Sequence, residues 1–460
     1  MKEPITRLFD ILEIYKKNFP EKNMLSSKVN GVWEENHASK VYELAHQLAA
    51  TFLRLGLDGK DFNPENQDKI AIISNNRPEW VIADFATQIV GAVLVPIYPS
   101  ITDSEWEYIL NESQVKIIFI SDKNIYKKLS NIIDNVPTLQ HIYSFDEISG
   151  IDHWSKLLTE VDVNEMNQLN EIKYKIQSSF LATIIYTSGT TGNPKGVMLS
   201  HRNIASNVNS CMECFDFCGS NETALSFLPL NHIFERTVLY IYLRKGISVF
   251  FAEGMETIGA NLKEVKPVVF TTVPRLLEKV YEKIDQKGSE LKGFKRKVFN
   301  WAVSLALKFE VNKSKSFFYN IQLKIADILV YSKWREAVGG KIKAIVTGSA
   351  ACQVKLLRLF TAAKIIVMEG YGLTETSPVI SVNRYQEKNR KFGTVGTVIK
   401  DVEVKIAEDG EILCKGNNIM MGYYKHPELT IESIQNDWFY TGDIGVMLEN
   451  KFLKTTDKKK

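Results

Sequence analysis

Strand-like and helix-like segments alternate along most of this 460-residue chain. The alternation predicts an α/β fold: two layered lobes of mostly parallel sheet wrapped by helices, with a small antiparallel β unit after them. Three observations carry the prediction. Short apolar runs and amphipathic stretches alternate between residues 69 and 121, and they do so again between about 223 and 372. From about 391 the texture changes to apolar–polar alternation on both sides of Asp409-Gly410, a hairpin signal.

Taken in order, residues 41–53 place Leu44, Leu48 and Phe52 at helical spacing. KIAIIS at 69 is a buried strand, PEWVIADFATQIVGA a helix entered through Pro78, and VLVPIY a strand. Thr102 and Glu105 have the spacing of a capping box at the head of a helix, and KIIFIS follows as the next strand. In the second run TALSFLPL, ISVFFA and PVVFTTVP read as strands separated by helices near 233–245 and 256–265. IKAIVTGSA and KIIVMEGYG add two more strands around a helix at 352–363.

The block 291–335 stands apart. Phe294, Val298, Trp301, Leu305 and Phe309 form one helical stripe, and Phe318, Ile321, Ile325 and Leu329 form another. Lys292, Lys295, Arg296, Lys297, Lys308, Lys313 and Lys315 surround them. Packing against the chain's own core with a solvated basic face is the favoured expectation, and peripheral contact with a membrane surface the competing one.

Composition narrows the function classes. Apolar residues make up 45% and charged residues 24%, the balance of a globular protein. A net charge of +3 is too small to indicate nucleic-acid binding. The N-terminal stretch has acids within its apolar run and does not read as a signal peptide; no run of 18 apolar residues exists, so a cytoplasmic location is expected. Five cysteines fit a reducing compartment. Cys211, Cys214 and Cys218 invite a metal reading, but their spacing puts them on one face of a helix as core residues, with no fourth ligand beside them.

The most informative stretch is YTSGTTGNPKGVMLSHR at 186–202, where Thr187 to Gly192 are all Gly, Ser or Thr. Such a loop offers unhindered N–H groups and short hydroxyls to a polyphosphate, and Lys195 adds positive charge; alone, it also reads as a flexible hairpin. A P-loop needs a different glycine–lysine spacing leading into a helix, whereas VMLS after this loop reads as a strand.

YTSGTTGNPKG resembles the phosphate-binding signature of the adenylate-forming enzymes: acyl-CoA synthetases, luciferases and adenylation domains. LPLNHIFER (228–236), GSAA (348–351), EGYGLTET (369–376), NIMMGYYKHPELT (418–430) and WFYTGD (438–443) follow in the family's order, so the resemblance covers nearly the whole chain. It implies two half-reactions. A carboxylate attacks the α-phosphate of ATP, pyrophosphate leaves, and the thiol of coenzyme A then displaces AMP from the acyl-adenylate.

By that resemblance Thr187, Ser188, Gly189, Thr190, Thr191, Gly192 and Lys195 cradle the β- and γ-phosphates, and Glu375 with Thr187 holds Mg²⁺. Thr374 reaches the α-phosphate, Tyr371 lies against adenine, and Asp443 accepts hydrogen bonds from the ribose hydroxyls. Gly348, Ser349 and Ala350 line the adenine and acyl pockets with Glu369, Gly370 and Gly372 nearby, and His232 sits beside the reacting carboxylate. Thr187, Lys195, His232 and Glu375 form the candidate catalytic set. Alone, Asp443 reads as a turn residue, Glu375 as a cap and His232 as a structural histidine; the ordered occurrence of the motifs separates the readings.

FLPLNHIFER and the helical insertion resemble the long-chain fatty acyl-CoA synthetases, especially bacterial ones, and imply a medium- to long-chain fatty acid as partner to ATP and coenzyme A. The competing readings are an aryl- or short-acid ligase, a non-catalytic nucleotide- or acyl-binding module, and a phosphotransferase that would yield ADP. The resemblance divides the chain into a large AMP-binding domain (1–390, insertion at about 291–335), a small β subdomain (391–452) and the start of a hinge (453–460), with the family's small C-terminal domain absent. It is therefore expected to support binding more than turnover. Lys458 stands where the family's hinge carries an arginine, which removes a bidentate fork from the ribose.

Overall fold

A computed structural model of the chain describes residues 3–187 and 192–459. Three sheets organise it. The first runs, edge to edge, Gly422–Tyr423, Lys195–Ser200, Leu181–Thr187, Val93–Pro96, Lys69–Ile73, Val115–Ile120, His141–Ser144 and Asp152–His153. The strands from Leu181–Thr187 to Asp152–His153 are parallel; the other two pair antiparallel. Every residue of Lys69–Ile73 is buried, as a central parallel strand covered by helices on both faces requires. Thr102 and Glu105 form the expected capping box: the Thr102 N–H donates to Glu105 Oε2 at 2.8 Å and the Glu105 N–H to Thr102 Oγ1 at 3.3 Å.

The second sheet runs Thr397–Val398, Val379–Val382, Ile366–Gly372, Ala344–Thr347, Val269–Thr272, Thr223–Ser226, Ser248–Phe251, Asn23–Val29 and Val32–His37. Its six inner strands, Ile366–Gly372 to Asn23–Val29, are parallel. The Asn23–His37 hairpin has no counterpart in the sequence reading: the chain opens at the edge of the second sheet before it builds the first. The third sheet is antiparallel, with Val402–Ile406, Glu411–Gly416, Trp438–Leu448 and Ile434–Gln435 in order and Phe452–Lys458 on Trp438–Leu448. The hairpin expected around Asp409-Gly410 is the pairing of its first two strands.

A fully buried network joins the two large sheets. The Arg236 guanidinium, on the helix Ile233–Arg244, meets Asp84 on the helix Pro78–Ile89 and donates to Thr183 Oγ1 at 2.9 Å and to the Tyr240 hydroxyl at 2.9 Å. Each partner satisfies the other's charge or hydrogen bonds, without which burial of either ion would be costly.

Two expectations need correction. In the insertion, the helix Gly293–Leu307 buries Phe299, Ala302, Leu305 and Ala306, so Phe294 is left exposed rather than packed. The second stripe, Phe318, Ile321, Ile325 and Leu329, is wholly exposed, while Ala326, Val330, Tyr331 and Trp334 face inward. A helical period gives the width of an apolar stripe, and this segment has apolar residues on two faces; only packing decides which is covered. The cysteines are all buried core residues, but the α-helix ends at Cys211 and Cys214 lies in the 3₁₀ turn Met212–Phe215, so the three do not share one regular helix. No helix among the described residues is long and apolar enough to cross a membrane.

Candidate active site

The site forms beyond the carboxyl ends of parallel strands, where an α/β sheet opens a crevice. The strand Leu181–Thr187 ends at Thr187, opposite Lys195 in the antiparallel register, so one strand pair holds the residues on either side of the hydroxyl-rich stretch. Ser188, Gly189, Thr190 and Thr191 lie outside the described residues; Gly192 is exposed, with a φ of +111° that favours glycine. Ala344–Thr347 runs out into Gly348, Ser349 and Ala350, and Ile366–Gly372 into the turn Thr374–Thr376.

Gly372 shows why that turn has its sequence. A Cβ there would lie 1.7 Å from the Pro378 carbonyl oxygen, so only glycine lets the chain fold back and aim Thr374 and Glu375 at the crevice. Thr376, buried behind them, accepts from the Leu373 N–H at 2.9 Å. From the other side the Met420 N–H donates to the Glu375 carbonyl at 2.8 Å, and the Tyr423 hydroxyl to Glu375 Oε1 at 2.9 Å. Lys195 Nζ lies 5.5 Å from the centroid of the same Tyr423 ring. Lysine, tyrosine and carboxylate are thereby gathered at one end of the crevice.

A cavity of about 710 Å³ opens here. Of the residues named from sequence, Thr187, His232, Gly348, Ser349, Ala350, Gly370, Tyr371, Gly372, Thr374, Glu375, Asp443 and Lys458 line it. Lys195 and Glu369 do not reach its wall. Lys195 Nζ sits over the Tyr423 ring, and Glu369 is buried with Oε1 accepting from the Cys352 N–H at 2.8 Å. Burial raises the Glu369 carboxyl to about 7, partly countered by that N–H.

At the far end the Tyr371 hydroxyl donates to Asp443 Oδ2 at 2.8 Å, which fixes the carboxylate at the edge of the ring. Burial, with the Asp443 charge adding to it, pushes the Tyr371 phenol upward, so it stays a donor. Lys458 Nζ reaches Asp443 Oδ1 at only 3.9 Å with its side chain largely in solvent, a loose point-charge contact. His232 caps the helix Ile233–Arg244: the Phe234 N–H donates to its Nδ1 at 3.1 Å. Burial lowers the imidazole's basicity, so the ring is neutral, and an accepting Nδ1 places the proton on Nε2.

Sequence reasoning missed two parts of the site. Tyr423 stood inside a quoted motif with no role; its contact with Glu375 requires the edge pairing of Gly422–Tyr423 with Lys195–Ser200, which local pattern does not reveal. The second part is an apolar wall continuous with the polar one: Phe234, Val238 and Ile241 from one helix face, with Cys211, Cys214 and Phe215 opposite. The spacing of the first three, one helical face directly after His232, was a signal that could have found them.

The residues fit the groups a nucleotide site of this kind needs. Glu375 and Thr187 are hard oxygen donors on one wall, and Glu375 Oε2 has no protein hydrogen-bond donor among the described residues, a set that suits Mg²⁺ completed by phosphate oxygens and water.

The sequence profile of the AMP-binding enzymes matches residues 16–424. The chain belongs to the AMP-binding enzyme family. Among its relatives, a long-chain-fatty-acid–CoA ligase of Mycobacterium bovis is 29% identical over 455 residues, 97% of this chain and 73% of that one. The long-chain acyl-CoA synthetase 1 of Arabidopsis thaliana is 29% identical over 99% of this chain and 72% of its own, and the long-chain-fatty-acid–CoA ligase 5 of Rattus norvegicus 32% identical over 89% and 63%. The fold is shared with the inhibitor-bound N-terminal domain of FACL13 from Mycobacterium tuberculosis, at a TM-score of 0.73 and 19% identity, over 99% of this chain and 100% of that one.

Proposed function

We propose that this AMP-binding enzyme activates a medium- to long-chain fatty acid with ATP as the acyl-adenylate and passes the acyl group to coenzyme A, releasing pyrophosphate and then AMP. One observation carries the reading: the wall built for a nucleotide, from Glu375 to Asp443, continues without a break into an apolar wall suited to a hydrocarbon tail. The relatives named above are long-chain acyl-CoA ligases by name, and they cover almost all of this chain.

On this reading the side chains divide the work. Asp443, held by Tyr371, accepts hydrogen bonds from the ribose hydroxyls, and the Tyr371 ring lies against the base. Thr374 faces the α-phosphate, and Lys195 with the hydroxyl-rich loop holds the outer phosphates. Mg²⁺, held by Glu375 and Thr187, would offset the charge of two approaching anions. His232 lines the cavity, and its Nε2, with no hydrogen-bond partner among the described residues, donates to the acid's carboxylate, which steers one oxygen toward the α-phosphorus. That attack forms a carboxyl–phosphate mixed anhydride, and the α–β phosphoanhydride bond breaks with its electron pair leaving on pyrophosphate. In the second half-reaction the coenzyme A sulfur attacks the acyl carbon, the acyl C–O bond breaks, AMP departs with the bridging oxygen and the thiol proton passes to solvent.

Two measurements test this. Chromatography of nucleotide after incubation with ATP, fatty acid and coenzyme A yields AMP on this reading; ADP would mark a phosphotransferase. Glu375→Gln weakens Mg²⁺-dependent ATP binding by about tenfold or more, but hardly changes binding of an acyl-adenylate, which has lost the outer phosphates. Equal losses for both ligands would remove Glu375 from the metal site.

A further inference from the structure

We infer that the outer face of the helical insertion, from Phe317 to Leu329, is a docking surface for an anionic lipid membrane. The observation is a run of six large apolar side chains, Phe317, Phe318, Ile321, Ile325, Ile328 and Leu329, all exposed close together along one short stretch of chain. Phe317, Phe318 and Ile328 are each about three-quarters exposed, at 74%, 76% and 74%. Isolated exposed apolar residues need no explanation, but six at helical spacing on one continuous helix form a patch, and patches mark interaction sites.

The face is rigidly mounted. The Tyr319 hydroxyl donates to the Leu305 carbonyl at 3.0 Å and that of Tyr331 to the Ala302 carbonyl at 2.7 Å, while Arg335 Nη1 donates to the Ala363 carbonyl at 2.9 Å. Tyr331 and Trp334 fill the inner side. The exposed stripe therefore cannot turn inward without emptying its own core.

Charge identifies what covers it. Between residues 291 and 326 stand eight basic residues and a single acid, Glu310, although the whole chain carries a net charge of only +3. The rest of the molecule is therefore net acidic, and the positive charge is concentrated on the helix Gly293–Leu307, on the segments flanking it and, within the patch helix itself, on Lys324. Lys292, Lys295, Lys297, Lys313 and Lys324 are exposed and have no acidic partner among the described residues. Apolar side chains that enter an acyl layer while flanking lysines meet phosphate headgroups are the chemistry of a helix lying in a bilayer interface. A second copy of the chain does not fit as well, because a symmetric dimer through this face would bring two strongly basic segments together. The surface stands independently of which acid the site activates, since none of these residues lines the cavity.

The test is flotation of the full chain with vesicles of phosphatidylcholine alone and of phosphatidylcholine mixed with phosphatidylglycerol. Binding is expected to be about tenfold stronger or more to the anionic vesicles and to fall as salt is raised. Joint replacement of Phe317→Ser and Phe318→Ser, both exposed and so without cost to the core, is expected to lower it by about tenfold or more. In a second variant, Phe318→Trp, the new indole emission shifts to the blue when anionic vesicles are added. Absence of flotation, flotation unchanged in the double variant, or a Phe318→Trp emission indifferent to vesicles would each overturn the proposal. So would a concentration-dependent dimer that the double variant abolishes while vesicles are ignored, because the occupant would then be a second copy.

Discussion

Arg236 has no exposed surface, and what surrounds it belongs to three elements: Asp84, Thr183, and Tyr240 on its own helix. Arg236→Ala leaves the Asp84 carboxylate buried without its counter-ion, and the expected cost is about 3–5 kcal/mol in denaturant unfolding. Its neighbour Glu235 behaves differently. Fully buried between Ser226 and Thr271, and in no salt bridge among the described residues because the adjacent Arg236 is paired with Asp84, its carboxyl is raised from 4.5 to about 7 by desolvation. A carboxyl raised by folding holds a proton that the unfolded chain releases, so it lowers stability as pH rises from about 4.5 to about 7. Glu235→Gln should match the parent below that window and exceed it in stability above it, by on the order of 1–3 kcal/mol, read from melting curves across the range. A variant advantage that does not change with pH would contradict this. The motif HIFER was legible as a landmark, yet this structural role of its Glu-Arg pair was not. Asp84 and Thr183 lie 152 and 53 residues away, and no local pattern announces a partner at such distance.

At the scale of elements, the turn that carries Glu375 depends on one missing side chain. Gly372→Ala places a Cβ on the Pro378 carbonyl, a backbone atom that cannot step aside, so a loss of several kcal/mol or of the folded protein is expected. Gly348→Ala is the contrasting case, because its Cβ would meet the Phe234 ring at 3.4 Å, an ordinary contact. It should leave stability within about 0.5 kcal/mol of the parent, and unfolding curves of the two variants decide the matter. Tyr423→Phe removes the hydroxyl that steadies Glu375 and should weaken Mg²⁺-dependent ATP binding about fivefold, from about 1 kcal/mol for one hydrogen bond, in calorimetric titration. Elements of this kind were legible where one period dominates: KIAIIS has only the pattern of a covered strand, and the box at Thr102 names its helix start. The insertion was not, because apolar residues on two faces leave burial to be settled by neighbours distant in sequence.

For the whole molecule, the two sheets are interleaved rather than strung in order. The Asn23–His37 hairpin completes the second sheet, and Gly422–Tyr423 returns to the edge of the first. The site lies where these crossings bring together Thr187 from one sheet, Gly348 and Tyr371 from the other, and Asp443 from the third. The residue types of the site were legible from ordered motifs, and the spacing of Phe234, Val238 and Ile241 marked one face of the apolar wall, whereas its other side and the crossings were not legible, since they exist only once the sheets are assembled. The central claim is that this wall receives a fatty-acyl tail, and calorimetric binding of non-hydrolysable acyl-AMP analogues from acetyl to palmitoyl, against AMP itself, tests it most directly. Each methylene taken up by the wall is worth up to about 0.8 kcal/mol, so affinity should climb by as much as about fourfold per methylene until the cavity is filled. Affinity indifferent to the tail would leave the chain an AMP-binding enzyme and contradict its assignment to fatty acids.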